Sequence, residues 1–420
     1  HEITRTNPLS QTTSFAYDPW GHFTTITDSL GNVITWAYDS RYPITYTNQL
    51  GKSWQYQYDG RHNLTAVIDP LGSTITYTYT NQGQLEQARD SSGISLTYGY
   101  DGYGNLTSIT NALNETCHWQ YDIVGRPLSF TDGTGGTTQF SYDATDNLVQ
   151  ITDPLANDTA YTYDANGNLI EFTNAKGYTT TFDYDAQFNL TRVTDAMGGV
   201  TTYDYDANDG LVRITDANGH PTIYRRDQIG QVISITDPLS RSIALNYDAA
   251  SILSALIRAD GSRIDYPRDA LGRLTGVDYP TGPDETFDYD AVGNLIHATY
   301  GDQWSATYEY DDVGRLSRIQ DNGRNLSLTY EYDPAGRRTG LRADRDTTVL
   351  YEVAYSYDAA AQLSTLTDQV SSPSSTINFS YDAAGRMVRI IDPSGAHADY
   401  TYDPAGRLTT VDHLDNGGDS

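Results

Sequence analysis

A chain of 420 residues with 38% hydrophobic content can fold, yet 35 Tyr against 9 Phe and 2 Met makes tyrosine its main building material. The formal charge of -29, with lysine only at Lys52 and Lys176, sets the surface against phosphate backbones and acidic lipids, so nucleic acid is not an expected partner. No apolar run approaches a membrane span, no basic-then-apolar stretch marks a signal peptide, and the single Cys117 offers neither an internal disulfide nor a thiolate metal site.

The chain opens inside a pattern. Thr6-Asn7-Pro8-Leu9-Ser10 aligns with Thr152-Asp153-Pro154-Leu155-Ala156, so the sequence is expected to start part-way through a repeat and to belong to something longer. From Phe15 onward an aromatic recurs two residues before each Tyr-Asp position, as at Trp36, Tyr77, Trp119, Phe140, Tyr161, Phe182 and Tyr203. Stepping by 21 from Tyr100 lands on Tyr121, Tyr142, Tyr163, Tyr184 and Tyr205, passes Arg226, and continues through Tyr247, Arg268, Tyr289 and Tyr310. A fixed short period of this kind marks a repeat architecture.

The unit from Tyr163 to Asp185 contains two turn signals, Asp164-Ala-Asn-Gly167 and Asn174-Ala-Lys-Gly177. Asp or Asn at the first position can bond the backbone two residues on, and Gly accepts the positive φ that closes such turns. Relatives of the second turn, Asp69-Pro-Leu-Gly72 and Asp392-Pro-Ser-Gly395, add a proline that presets φ. The segments between the turns are rich in Thr, aromatic and β-branched residues and too short for helices, so each unit predicts a β-hairpin. In the second strand Phe182 and Tyr184 are two apart and share a face. In the first, Leu169 and Phe172 are three apart and share a face only through a bulge or a twist.

The expected fold is all-β: antiparallel hairpin repeats of about 21 residues forming one spiralling sheet, with residues 1–420 a single continuous array of about nineteen units. Ordering one unit costs roughly 1–2 kcal/mol per residue, and a buried large side chain returns only about 1.5–3 kcal/mol, so a lone hairpin is unstable and units must stack. The aromatic positions of successive units are expected to pack on one another as a ladder. Cys117, beside Trp119 on a strand, reads as a small buried core thiol.

After Tyr310 the register loosens over residues 332–381, to Tyr332, Tyr357 and Tyr381, before Tyr402 restores it. The additions, at 338–348 and 369–375, are expected to be longer second turns projecting from one edge, tolerated surface loops before contact sites. The late units also exchange Gly-Asn for Gly-Arg, at Arg273, Arg315, Arg337, Arg386 and Arg407, where pairing with turn aspartates of adjacent units is expected to add little.

No residue stands out as a catalytic, cofactor-binding or metal-binding site. Carboxylates recur in every unit, whereas catalysis needs a few groups unlike their surroundings. His22, His62, His118, His220, His297 and His397 fall at different offsets with no metal-binding spacing, and no nucleophile elbow or phosphate loop occurs. The oxygen-rich turns at Asp164–Asn168 and Asp206–Gly210 resemble calcium loops only faintly. Ala175 stands where an acidic twelfth residue would be required, so a plain Asx-turn is the reading. Sequons at Asn63, Asn105, Asn114, Asn157, Asn189 and Asn325 follow largely from the turn chemistry, which leaves glycosylation the weaker reading.

The pattern Tyr-Asp-x-x-Gly-[Asn/Arg]-Leu-x-x-[Ile/Val]-Thr-Asp, in Tyr100–Thr110, Tyr289–Leu295 and Tyr402–Leu408, resembles the YD repeat of the RHS family. That family includes bacterial polymorphic toxins, insecticidal toxin complex C components, wall-associated proteins and teneurin adhesion receptors. The resemblance implies a secreted, extracellular or cell-surface protein whose β-sheet spirals into a hollow shell, often closed around a toxic C-terminal segment. It does not carry self-cleavage here, because Asp403-Pro-Ala-Gly-Arg-Leu408 is an ordinary repeat turn and the sequence then runs into Asp415–Ser420. Two function classes follow: a structural wall that encloses or displays a cargo such as a toxin, and an adhesion or glycan-binding module or fibre using tyrosine rings as sugar platforms. The wall is favoured, because the ladder needs the rings for stacking. Expected partners are further repeats of the same polypeptide or end-to-end copies, since bare sheet edges recruit strands.

Overall fold

The computed structural model describes residues 3–302 and 304–414; His1 and Asp415–Ser420 lie outside it. Among the described residues there are 39 strands and no helix. Each strand pairs antiparallel with its neighbours in sequence, as Asp158–Tyr163, Leu169–Thr173, Thr179–Tyr184 and Leu190–Thr194 do, except at one break between Arg263–Asp265 and Gly276–Val277. The repeat is therefore the hairpin that the turn spacing predicts.

The bulge, rather than twist alone, resolves the spacing in the first strand. Tyr161 opposes Phe172 and Thr162 opposes Glu171, but Tyr163 opposes Leu169, so Ile170 is the extra residue. Leu169 and Phe172 thereby share the face of Tyr163 and Tyr161. The same shift precedes Tyr184 and Tyr205.

Both turns have one geometry. The amide of Asp164 donates to the carbonyl of Asn168, and that of Gly167 to the carbonyl of Asp164; Asn174, Gly177 and Tyr178 repeat this. Gly167 and Gly177 have φ of 87° and 78°, the left-handed residue of a three-residue hairpin loop.

The aromatic ladder differs from its expected form. Equivalent residues such as Tyr161, Phe182 and Tyr203 stand two strands, about 10 Å, apart. A first-strand residue fills each gap: Phe172 lies 5.5 Å from Tyr161 between ring centroids, and Val193 opposes Phe182. Rings are half-buried in a single layer, and Val353 is the largest fully buried side chain among the described residues.

The hydrogen-bonded ladder divides into 26 and 13 strands. The break falls where Tyr266-Pro267-Arg268 replaces the usual strand, because proline offers no N–H. Asp265 and Asp278 still exchange backbone bonds of 3.0 and 2.9 Å, and Thr275 donates to Pro267, so the path continues across the break.

One expectation about the late units is corrected. The residues at 338–348 do not form a longer turn: they lengthen strands Arg338–Arg345 and Thr348–Tyr357, joined by a tight turn. A β-ladder satisfies the added backbone groups better than a loop would. Only the second addition is a loop, between Asp368 and Ser375.

The sheet coils back upon itself. Ser29 Oγ donates to the carbonyl of Ala270, 241 residues on, at 2.8 Å, and Lys52 Nζ meets Asp312 at 2.6 Å. A Cβ on Gly133 would collide with the carbonyl of Ala383, so glycine is required by that approach. Second turns of the first coil thus meet first turns of the second. With two strands per 21 residues, one circuit holds roughly 23 strands, about 110 Å around and on the order of 35 Å across.

Candidate functional site: the tied turns of the wall

The Tyr-Asp pair that defines the repeat performs two separate tasks. The hairpin Leu169–Thr173/Thr179–Tyr184 is laddered only through Glu171–Thr173, since the bulge takes Leu169 and Ile170 out of register. At that open end the Tyr184 hydroxyl donates to the Leu169 carbonyl at 2.9 Å. Tyr163 ties Leu148, Tyr205 ties Leu190 and Tyr402 ties Met387 in the same way. Where Arg226 replaces the tyrosine, its Nε donates to Leu211 at 3.1 Å and keeps the tie. Burial raises the pKa of Tyr163, Tyr184 and Tyr205, which holds each hydroxyl as a donor.

The aspartate organises the turn. Asp164 Oδ1 accepts from the amides of Asn166 and Asn168 at 2.8 and 2.9 Å, and Oδ2 from the Asn168 side chain at 2.9 Å. The matching asparagine amide is foremost in lowering the pKa of Asp59, Asp101, Asp153 and Asp164. At Asp143 the Asn147 amide, joined by the Asn147 backbone and by Thr145, brings it down to about 2. The sequons at Asn63, Asn105, Asn157 and Asn189 are these amide donors, while Asn114 and Asn325 occupy positive φ.

The late arginines pair with their own turn rather than with an adjacent unit, because Nε reaches back to the aspartate four residues earlier. Arg315 meets Asp311 at 2.6 Å and Arg386 meets Asp382 at 2.7 Å. The rest of each guanidinium spans to the next unit, over Tyr332 at 4.7 Å and Tyr402 at 4.9 Å, with Arg315 Nη1 donating to the Asp333 carbonyl. Sequence reasoning missed both the tyrosine tie and this bridge; the 15-residue recurrence of Leu before Tyr was the available signal.

The histidines remain dispersed. His22 bonds Asp18 and stacks on Tyr38, His62 stacks on Tyr42, and His297 faces Asp288. Among the described residues, no three His, Cys, Asp or Glu side chains gather as a metal-holding group. Cys117 is half-buried rather than buried, because a single layer has no closed core; it lines a cleft of about 600 Å³ between the coils with Phe130, Gly136 and Ala384.

A model of the RHS repeat matches residues 43–74, 58–95, 79–116, 117–158, 163–196 and 381–417, and one of the teneurin YD-shell matches 197–332. No curated protein sequence matches the chain. Among solved structures, a TcdB2-TccC3-TEV crystal structure is similar with a TM-score of 0.79 at 16% identity, over 95% of this chain and 26% of that one. TcdB2-TccC3 without its hypervariable C-terminal region gives 0.69 at 15% identity, over 98% and 26%. A Photorhabdus luminescens Tc holotoxin pore gives 0.58 at 16% identity, over 98% and 25%. The chain thus spans about a quarter of the length of the structures it resembles, and identities this low speak for the fold alone. The repeat matches together extend over most of the sequence, and with the tied Tyr-Asp hairpins they establish that the chain belongs to the RHS/YD-repeat family.

Proposed function

We propose that the chain is a wall segment of a hollow β-shell that encloses or displays a cargo such as a toxin, in a longer secreted or surface protein. The observation that carries this reading is the coil-on-coil contact at Ser29–Ala270 and Lys52–Asp312, which turns a one-layer ribbon into a curved barrier. The similar structures contain Tc toxin components, which supports a toxin as the cargo class. The wall is one continuous array across residues 1–420, with more repeats of the same polypeptide, or further copies, as its partners.

In this reading the chain has no catalytic, cofactor or metal centre of its own. The adhesion alternative is weakened because ladder rings such as Tyr161 pack laterally against first-strand residues and hydroxyls of the Tyr-Asp pairs, such as that of Tyr184, are spent on backbone carbonyls. The test is to join an unfolded, protease-sensitive passenger to the carboxyl side of the chain. The proposal expects the passenger to be digested more slowly than when it is free. Equal digestion rates, together with ring-dependent binding on a glycan array, would overturn it in favour of adhesion.

A further inference from the structure

The exchange of Gly-Asn for Gly-Arg along the chain coincides with the place where the second coil meets the first. From Asp18 to Asp227 the residue four after the first-turn aspartate is arginine once, at Arg126; from Asp269 to Asp403 it is arginine five times. Four of those late turns touch or closely face second turns of the first coil. Ala270 accepts from Ser29, Asp312 meets Lys52, Ala383 abuts Gly133 and Pro404 abuts Gly136. Each of the four carries its arginine, Arg273, Arg315, Arg386 and Arg407, whereas the turn from Asp358, which shares a cleft with Asn111 and Glu115, carries Gln362.

The charge arithmetic gives the reason. Asparagine hydrogen-bonds the turn carboxylate but leaves its charge, whereas arginine hydrogen-bonds it and neutralises it. A solvated turn tolerates a residual negative charge, but a turn pressed against another acidic turn does not. Three of the second turns that the late units meet begin with an aspartate, at Asp28, Asp132 and Asp153, whereas the turn from Asn48 carries Lys52, which meets Asp312 directly. We propose that arginine at this fourth position makes the first turn a docking surface for an aspartate-headed second turn of the preceding coil, so that the seam between coils is a self-recognition interface written into the repeat.

Two neighbouring observations agree. Burial of Asp132 is outweighed by hydrogen bonds from Thr134 and Gly136 and by Arg386 across the seam, so its pKa is lowered. Arg407, held first by its own Asp403, also feels Asp153. A cleft of about 670 Å³ lined by Thr134, Gly136, Asp153, Arg386 and Pro404 separates the same turns, so the seam is loosely packed and rests on charge more than on apolar burial. The inference holds whatever the wall encloses.

Hydrogen exchange tests it with internal controls. Turns 132–136 and 153–157 lie against the second coil, while 174–178 and 195–199 share their turn chemistry without an arginine turn against them. The proposal expects exchange several-fold slower in the first pair, with that difference abolished in the combined Arg386→Asn and Arg407→Asn variant and kept in Arg126→Asn. If the combined variant does not fold, a salt series on the unaltered chain decides. Raising salt from 0.1 to 1 M shortens screening from about 10 to about 3 Å and should speed exchange selectively at 132–136 and 153–157. Equal protection in both pairs of turns, or a difference that survives both the substitutions and the salt, would overturn the proposal.

Discussion

The Tyr184 hydroxyl and the Asp164 carboxylate act on backbone groups that no ladder serves, which is why the repeat keeps both side chains. Tyr184→Phe leaves the ring in place and strips the Leu169 carbonyl of its donor, so chemical denaturation should register a loss of about 1–3 kcal/mol. Phe182→Ala is expected to cost about 2 kcal/mol, below the value for an enclosed phenylalanine, because the ring is half-exposed and faces Val193 rather than another ring. The proper control is Thr181→Ala on the opposite, exposed face; Thr180 opposes Phe172 on the ring face and is not neutral. Asp143 supplies a pH prediction. Its folded pKa, about 2, is lowered from 3.8, so its contribution is present above pH 4 and is lost as pH falls through 2. A stability profile over that window should flatten in Asp143→Asn, whose side chain still accepts turn amides, as Asn174 does.

At the scale of the hairpin, the sequence was legible wherever a local rule dictates the outcome. Gly167 and Gly177 announce turns because only a residue at ease with positive φ closes them, and the strands follow by exclusion. Leu169 and Phe172 announced an irregularity whose kind waited for the pairing partner to be known, since a bulge is a relation between two strands. The arginines were visible but misassigned, because reach along one turn and reach to the next unit look alike in sequence. The left-handed position makes a prediction of its own: Ala156 and Phe188 hold φ of 62° and 67° there. Ala156→Gly should raise the melting temperature, the relieved strain being roughly 1–2 kcal/mol before the added backbone entropy of glycine is subtracted. A lowered melting temperature would mean that the strain is already relaxed.

For the whole molecule, the decisive feature is the circuit of about 23 strands, which no local pattern encodes. Twist accumulates from strand to strand, and only its sum decides whether the ribbon returns to touch itself. Pro267 interrupts the ladder at the point where the second coil begins to lie on the first, and it stands out in the sequence as a proline inside a strand position. The most direct measurement is the distance between spin labels at Leu30 and Leu271, two exposed turn tips flanking the Ser29–Ala270 contact. A coiled wall places them side by side, at the short end of the range that pulsed electron resonance reads. An uncoiled ribbon of the same hairpins would hold them on the order of 110 Å apart, and a long or unmeasurable distance would contradict the account.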